Sequence, residues 1–222
     1  MALVSDRIAE NLRAIQSRME AACRRANRNP NAVTLVAVTK GRSIEDVRAL
    51  YALGVRDFGE NRVADAEPKI AVLPGDIRWH MIGSVQRRKA PAVVRLFQRV
   101  DSVDRLELAE ALNARARERG VFLRCLVEVN VSGEDTKHGV EPASLGSLLN
   151  AMSALEFLHV EGLMTMAPLV DDPESVRPFF RCLQELARLH GMPALSMGMS
   201  GDFEVAIEEG ATEIRVGMAL FQ

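Results

Sequence analysis

Strand and helix patterns alternate through almost all of this 222-residue chain, and that alternation restricts the fold more than any other feature. An apolar run of strand length, a capping residue and then an apolar stripe at three- and four-residue spacing recur about eight times. The first strand is predicted at 33–39, from Val33 to Thr39. Its helix starts at a Ser43 cap, carries Val47, Leu50 and Tyr51 on one side and closes at Gly54. Further strands are expected at 55–58, 78–82, 98–101, 121–129, 157–164, near Leu195 and at 213–216. Helices are expected at about 60–70, near 84–96, from a Ser102 cap to Gly120, at 141–154, at 173–190 and from a Ser200 cap to Glu209. Each strand but the last is followed by a helix.

Such alternation means a parallel sheet with right-handed crossovers. Eight units predict an α/β fold, a single (β/α)8 TIM barrel, compact beside the ~250 residues typical of that fold. An open doubly wound sheet is the alternative. An extra N-terminal helix precedes the first strand. Ile8, Leu12, Ile15 and Met19 form its apolar stripe, Ser5 or Asp6 caps it, and Asn29-Pro30-Asn31 ends it. No Pro/Gly/Ser linker and no composition shift divides the chain, so residues 1–222 read as one domain.

The chain is 48% hydrophobic and 26% charged, with a formal net charge of −2, which gives no reason to expect nucleic acid as a partner. Arg87-Arg88-Lys89 reads as a solvated helix face. No stretch approaches the ~18 apolar residues of a membrane span. The N-terminus has no basic region followed by a long apolar run, so a cytoplasmic location is expected. Cys23, Cys125 and Cys182 are scattered, with no Cys-x-x-Cys pair for zinc and no disulfide framework. All three are expected to be small buried hydrophobes, and no metal site is predicted. A closed barrel without a long exposed apolar stripe predicts a monomer.

In a barrel of this kind, functional groups gather at the C-terminal ends of the strands. Those ends carry Lys40, Phe58-Gly59-Glu60-Asn61, the 79–83 stretch with His80, Glu128 with Asn130, the 196–202 turn and Arg215-Val216-Gly217. Lys40 shares a strand face with Thr34, Val36 and Val38. Taken alone, such a lysine snorkels to the rim. The alternative is an amine desolvated by the apolar strand and able to condense with an aldehyde. The 196–202 turn leads into a helix. Its amides and the Ser200 hydroxyl suit an anion, although an ordinary serine cap accounts for the same pattern. Gly217 offers a second close approach, and barrels often bind phosphate beside strands seven and eight. An aldehyde carrying a phosphate would satisfy both ends. Arg215 either pairs with Glu213 or a helix carboxylate, or donates to a ring nitrogen of the ligand. His80 is a core histidine or a pocket residue, and Asn61 caps its helix or lines the pocket.

These residues also carry a resemblance. The stretches "LVAVTK" (35–40), "FGENRV" (58–63), "WHMIGSVQ" (79–86), "VDSVDRL" (100–106), "EVNVSGEDTKHGV" (128–140), "GLMTM" (162–166), "LSMGMSGD" (195–202) and "IRVG" (214–217) stand in an order and spacing that resemble the pyridoxal phosphate homeostasis proteins, the YggS/PROSC group. The resemblance runs along nearly the whole chain. It implies one barrel similar to the N-terminal domain of alanine racemase, with pyridoxal 5′-phosphate (PLP) held as a Schiff base on Lys40. It also implies phosphate contacts from Ser200 and Gly217 and an arginine at Arg215 near the pyridine nitrogen; Asn61 and His80, near strand ends, and Met199 and Met218, beside the two turns, are expected to complete the cofactor pocket. Two features depart from the family pattern. Arg88 stands where the family's Gln-x-Asn-Lys carries asparagine, and the sequence ends at Phe221-Gln222 where relatives commonly continue with Gly-x-Arg.

PLP on a lysine usually means amino-acid chemistry, because the ring acts as an electron sink. An arginine whose pKa exceeds about 12 does not transfer a full proton to the pyridine nitrogen, so a deep sink is not expected here. A racemase of this type also needs a second base, usually a tyrosine from another domain. The one tyrosine, Tyr51, sits in an apolar helix stripe and is expected in the core. The resemblance therefore implies storage, carriage and handover of PLP within the cell, with apo PLP-dependent enzymes as transient partners, and no catalytic residues. A weak PLP-dependent racemase and a Schiff-base aldolase-type barrel are the competing readings. Lys137, in "EDTKHG", is a candidate transfer site or a solvated loop lysine.

Overall fold

A computed structural model describes residues 2–134 and 137–222. Asp135 and Thr136 of the "EVNVSGEDTKHGV" stretch lie outside the described residues.

Eight parallel strands close into a barrel in sequence order, each hydrogen-bonded to the next and the last to the first. They are β1 (Thr34–Val38), β2 (Asp57–Glu60), β3 (Arg78–Met81), β4 (Arg99–Val103), β5 (Leu123–Glu128), β6 (Leu158–Met164), β7 (Ala194–Ser196) and β8 (Glu213–Val216). The predicted closed barrel is therefore the observed one, and the open sheet is excluded by the β1–β8 pairing. Helix α1 (Ala2–Arg25) precedes the barrel. The crossovers are α2 (Ile44–Ala52), α3 (Val63–Ile70), α4 (Ala90–Leu96), α5 (Leu106–Arg119), α6 (Leu145–Met152), α7 (Arg177–His190) and α8 (Phe203–Glu208), and a short α9 (Met218–Phe221) follows β8.

Local chemistry explains some of the boundaries. Ser43 and Asp46 form a reciprocal capping box at the start of α2. Gly120 ends α5 in a left-handed conformation at φ +64°, which costs glycine no Cβ clash. Several expectations shift. Helix α1 already includes Ser5 and Asp6, so neither caps it, and it ends at Arg25 rather than at Asn29-Pro30-Asn31. Ser102 lies inside β4 and donates to the Gly83 carbonyl at 2.6 Å, so it caps nothing. The last strand is followed by a helix after all.

Most buried apolar side chains form one shell between the strands and the surrounding helices. Phe58 and Trp79, on neighbouring strands, meet there with ring centroids 5.7 Å apart. Helix α1 packs across α2, α8 and α9, burying Ile8, Leu12, Ile15 and Met19 as its periodicity predicts. Cys23 and Cys125 are buried and Cys182 is half-buried; all three are free thiols. Tyr51 is half-buried, and its hydroxyl leaves the core to donate to Asp76 Oδ1 at 2.7 Å. Val36, Leu126 and Met164 are buried but stand apart from the shell, because they fill the barrel interior.

Among the described residues, no helix is long and apolar enough to cross a membrane.

Candidate functional site

A cavity of about 450 Å³ opens at the C-terminal mouth of the barrel. Its walls come from the ends of six strands. Val38 and Lys40 stand at the end of β1, Asn61 follows β2 and Ile82 follows β3. The loop after β6 supplies Met166, Pro168, Leu169, Val170 and Asp171. The turns after β7 and β8 supply Met199, Ser200, Asp202, Gly217 and Met218, and Arg215 enters from β8 itself. Lys40, Asn61, Met199, Ser200, Arg215, Gly217 and Met218, all singled out from the sequence, thus line one cavity.

Lys40 is exposed rather than buried along the strand. Strand β1 ends at Val38, and Lys40 sits in the following turn, so its amine stands at the open mouth. Its exposure matches a lysine that snorkels to the rim rather than one enclosed along the strand. Val38, two residues back on the same face, does line the cavity with it.

Arg215 is buried. Its Nη1 donates to Ser196 Oγ at 2.7 Å and its Nη2 to the Thr165 carbonyl at 2.8 Å. It does not pair with Glu213, whose carboxylate is held by Arg99. Burial weakens the hold of Arg215 on its proton, and Asp101, Glu128, Glu213 and Asp202 work in the opposite direction. Glu128, the last residue of β5, is also buried, and burial with help from Asp104 pushes its carboxyl up to about 7 against the pull of Arg215.

Ser200 does not cap α8. The N-cap position is Asp202, whose Oδ1 accepts from the Met199 amide at 2.5 Å and shapes the turn. Burial raises the Asp202 carboxyl, with the Met199 amide and Arg215 opposing. Ser200 Oγ instead accepts from the Ala219 amide at 3.4 Å, so the turns after β7 and β8 are joined at the cavity wall. Gly217 packs closely on β1: a Cβ there would meet Val38 Cβ at 3.3 Å, so Val38 would have to shift slightly.

Asn61 does not cap α3; Arg62 holds that position without a side-chain bond. Asn61 Oδ1 is buried and has no partner among the described residues. It is an acceptor left over at the cavity wall.

His80 is the exception to the predicted set. It does not line the cavity. Its ring is buried in a charged layer inside the barrel, with Nε2 3.1 Å from Asp57 Oδ1 and Nδ1 3.5 Å from Asp101 Oδ2. Arg99 lies in the same layer, where its Nε donates to Asp101 at 2.6 Å and its Nη1 to Glu213 at 2.6 Å. Burial works against the imidazolium, but the bonds to Asp101 and Asp57 outweigh it and raise the pKa of His80. Burial works likewise against ionised Asp57 and Asp101, yet their partners Arg78, Arg99 and His80 hold both carboxyls well below the usual range. His80 is expected near the mouth only because it lies near the end of a strand predicted to run to Ile82. The strand ends at Met81, and Ile82 is the residue that reaches the cavity.

The loop after β6 is the part of the wall that the sequence reading missed. Its signal was its position, directly after a predicted strand, in the proline-bounded stretch Pro168-Leu169-Val170-Asp171-Asp172-Pro173. Lys137 is on the other loop, after β5, 3.1 Å from Glu134.

The alanine racemase N-terminal domain family matches residues 5–222. The pyridoxal phosphate homeostasis protein of Aquifex aeolicus (strain VF5) is 42% identical over 219 residues, covering 96% of this chain and 96% of that protein. The protein of the same name from Escherichia coli (strain K12) is 34% identical over 226 residues, covering 96% of this chain and 95% of its own length. Among solved structures, PipY of Synechococcus elongatus PCC7942 with PLP bound is 36% identical, with a TM-score of 0.83 over 97% of this chain and 100% of that one. An alanine racemase of Clostridium difficile 630 shares the fold alone: it is 15% identical, with a TM-score of 0.75 over 97% of this chain and 56% of the racemase. The chain belongs to the family of pyridoxal phosphate homeostasis proteins, built on the alanine racemase N-terminal barrel.

Proposed function

We propose that the cavity at the barrel mouth binds PLP and that the protein stores, carries and hands over this cofactor without substantial turnover of its own. The observation that carries this reading is the convergence of Lys40, Arg215, Ser200 and Gly217 on one cavity. Its volume of about 450 Å³ lies within the ordinary range for small-ligand sites. The residues fit the group. An exposed amine suits the aldehyde, the joined turns of Ser200 and Ala219 suit a phosphate, and Arg215 supplies guanidinium donors at the wall. The unpartnered Asn61 Oδ1 is an acceptor for a ligand hydroxyl. The proposed contacts are therefore Lys40, Asn61, Met199, Ser200, Arg215, Gly217 and Met218. His80 acts as a buried structural group instead.

When bound, PLP supplies an electron sink and an aldehyde that condenses with amines. The chain's own residues orient it. Arg215 is fixed by Ser196 and Thr165 before any ligand arrives, so its direction costs little on binding. Tyr51, bonded to Asp76 ahead of β3, stands apart from the cavity walls, which favours a carrier over a racemase. The identity of the relatives, named as homeostasis proteins, points the same way. The reading places residues 1–222 as one domain, working as a monomer in the cytoplasm and meeting apo PLP-dependent enzymes transiently. Mixing the purified protein with PLP and following the visible absorption band, with gel filtration for the oligomeric state, tests it. A protein that acquires no band and no mass on addition of PLP contradicts it.

A further inference from the structure

Lys69 on α3 and Glu60 at the end of β2 form an ion pair at 2.5 Å, with side chains 7% and 0% exposed. Burying two charges costs desolvation that their attraction repays only in part, and apolar replacements of similar volume are often as stable or more so. Fold stability alone is a weak reason for this pair. What it grips is a stronger one. Lys69 Nζ also donates to the Thr39 carbonyl at 2.7 Å. Glu60 Oε1 accepts from Thr39 Oγ1 at 2.6 Å. The Thr39 amide donates to the Gly59 carbonyl at 3.1 Å. Every polar group of Thr39 is thus tied to β2 or α3. Glu60 Oε2 is buried with no partner among the described residues, so the carboxylate is anchored through Oε1 alone.

The residue after Thr39 is Lys40, and the residue after Glu60 is Asn61. Both line the cavity. An exposed lysine on a turn keeps much conformational freedom, and fixing its backbone removes part of the ordering cost of a covalent ligand. We propose that Lys69, Glu60 and Thr39 form a clamp that positions Lys40 and Asn61 for PLP. The three are positioning residues, since none of them lines the cavity. The inference rests on the reading of that cavity as a PLP site.

Three variants test it beside the wild type: Thr39→Val, Thr39→Ser, and the double variant Lys69→Met with Glu60→Leu. Each is measured for thermal unfolding, for backbone hydrogen exchange over residues 38–41, and for PLP affinity and the pH profile of the visible band. The clamp predicts a double variant that still folds, because the buried pair contributes little net stability. It also predicts exchange at the Thr39 amide, which donates to the Gly59 carbonyl, faster on the order of tenfold, and PLP affinity weaker on the order of tenfold, in both Thr39→Val and the double variant. Thr39→Ser, which keeps the hydroxyl, is predicted to restore wild-type behaviour. Folded clamp variants with wild-type affinity and an unchanged pH profile overturn the proposal, whatever their exchange rates. If the double variant does not fold, the comparison of Thr39→Val with Thr39→Ser decides by the same criteria. A wild type that forms no band with PLP overturns the cofactor reading itself, and this inference with it.

Discussion

Arg215 reaches across from β8 to donate to the Ser196 hydroxyl on β7 at 2.7 Å, and so the guanidinium at the cavity wall is set by the neighbouring strand. Its second bond, to the Thr165 carbonyl, fixes its plane. A cation in this position needs no rearrangement to meet a ligand, and its direction is a property of the folded barrel.

Replacing it therefore affects both fold and ligand. Arg215→Met removes the guanidinium and leaves Ser196 Oγ and the Thr165 carbonyl without their donor. Hydrogen bonds from a charged group contribute about 1.5–3 kcal/mol each. We expect PLP affinity to fall at least tenfold and the melting temperature to drop. Titration of the visible band and a thermal melt measure the two effects. Unchanged affinity in a folded variant removes Arg215 from the site.

His80 gives a pH dependence of definite sign. Its folded pKa is raised, so its contribution is complete below its unfolded value of about 6.5 and is lost as pH rises through the folded value. Stability is predicted to decline as pH rises above about 6.5 through the folded value, and His80→Asn to flatten that decline. Asp57 and Asp101, with depressed carboxyls, act oppositely: their contribution is present above the unfolded carboxylate range and is lost as pH falls through their folded values. Urea melts across the pH range separate the two limbs. An alkaline limb identical in wild type and variant contradicts the assignment.

Glu128 makes a different prediction. Its carboxyl is raised from 4.5 to about 7, so folding favours the protonated form. The folded state is penalised progressively as pH rises through that window, by on the order of 3 kcal/mol once both states are ionised. Glu128→Gln is expected to be more stable than wild type at pH values above the window and to lose that advantage below it. Chemical denaturation at the two extremes is the check, and a variant equally or less stable at alkaline pH refutes the buried-carboxyl account.

The cavity wall can be tested by filling it. Gly217 has φ −119° and ψ −78°, a backbone that needs no positive φ. A side chain there meets Val38 rather than the helical shell. Gly217→Val is predicted to fold, with a small loss of stability, and to bind PLP at least tenfold more weakly. Wild-type affinity in this variant would place the ligand elsewhere.

The architecture was legible because strand periodicity and glycine stops agree along the chain, although of the predicted serine caps only Ser43 caps its helix. β8 falls on its predicted residues, and Gly120 ends α5 as expected. The sequence reading brought to one cavity the residues it took from strand ends, as for Lys40 and Arg215. It failed for His80, which lies near the end of its strand but is sealed in the charged layer. It failed again where tertiary contacts decide. Ser200 looks like a cap in sequence, but its hydroxyl takes an amide nineteen residues away. The Lys69–Glu60 pair has no local signal, because it joins a helix to a strand around the carbonyl of a third element.

The central claim is that Lys40 holds PLP at the mouth of the barrel. The most direct measurement is the visible absorption spectrum of the wild type after addition of PLP, beside that of Lys40→Ala under the same conditions. The account predicts a yellow band that persists through gel filtration in the wild type and is absent in the variant. A band of equal intensity in both proteins, or in neither, contradicts it.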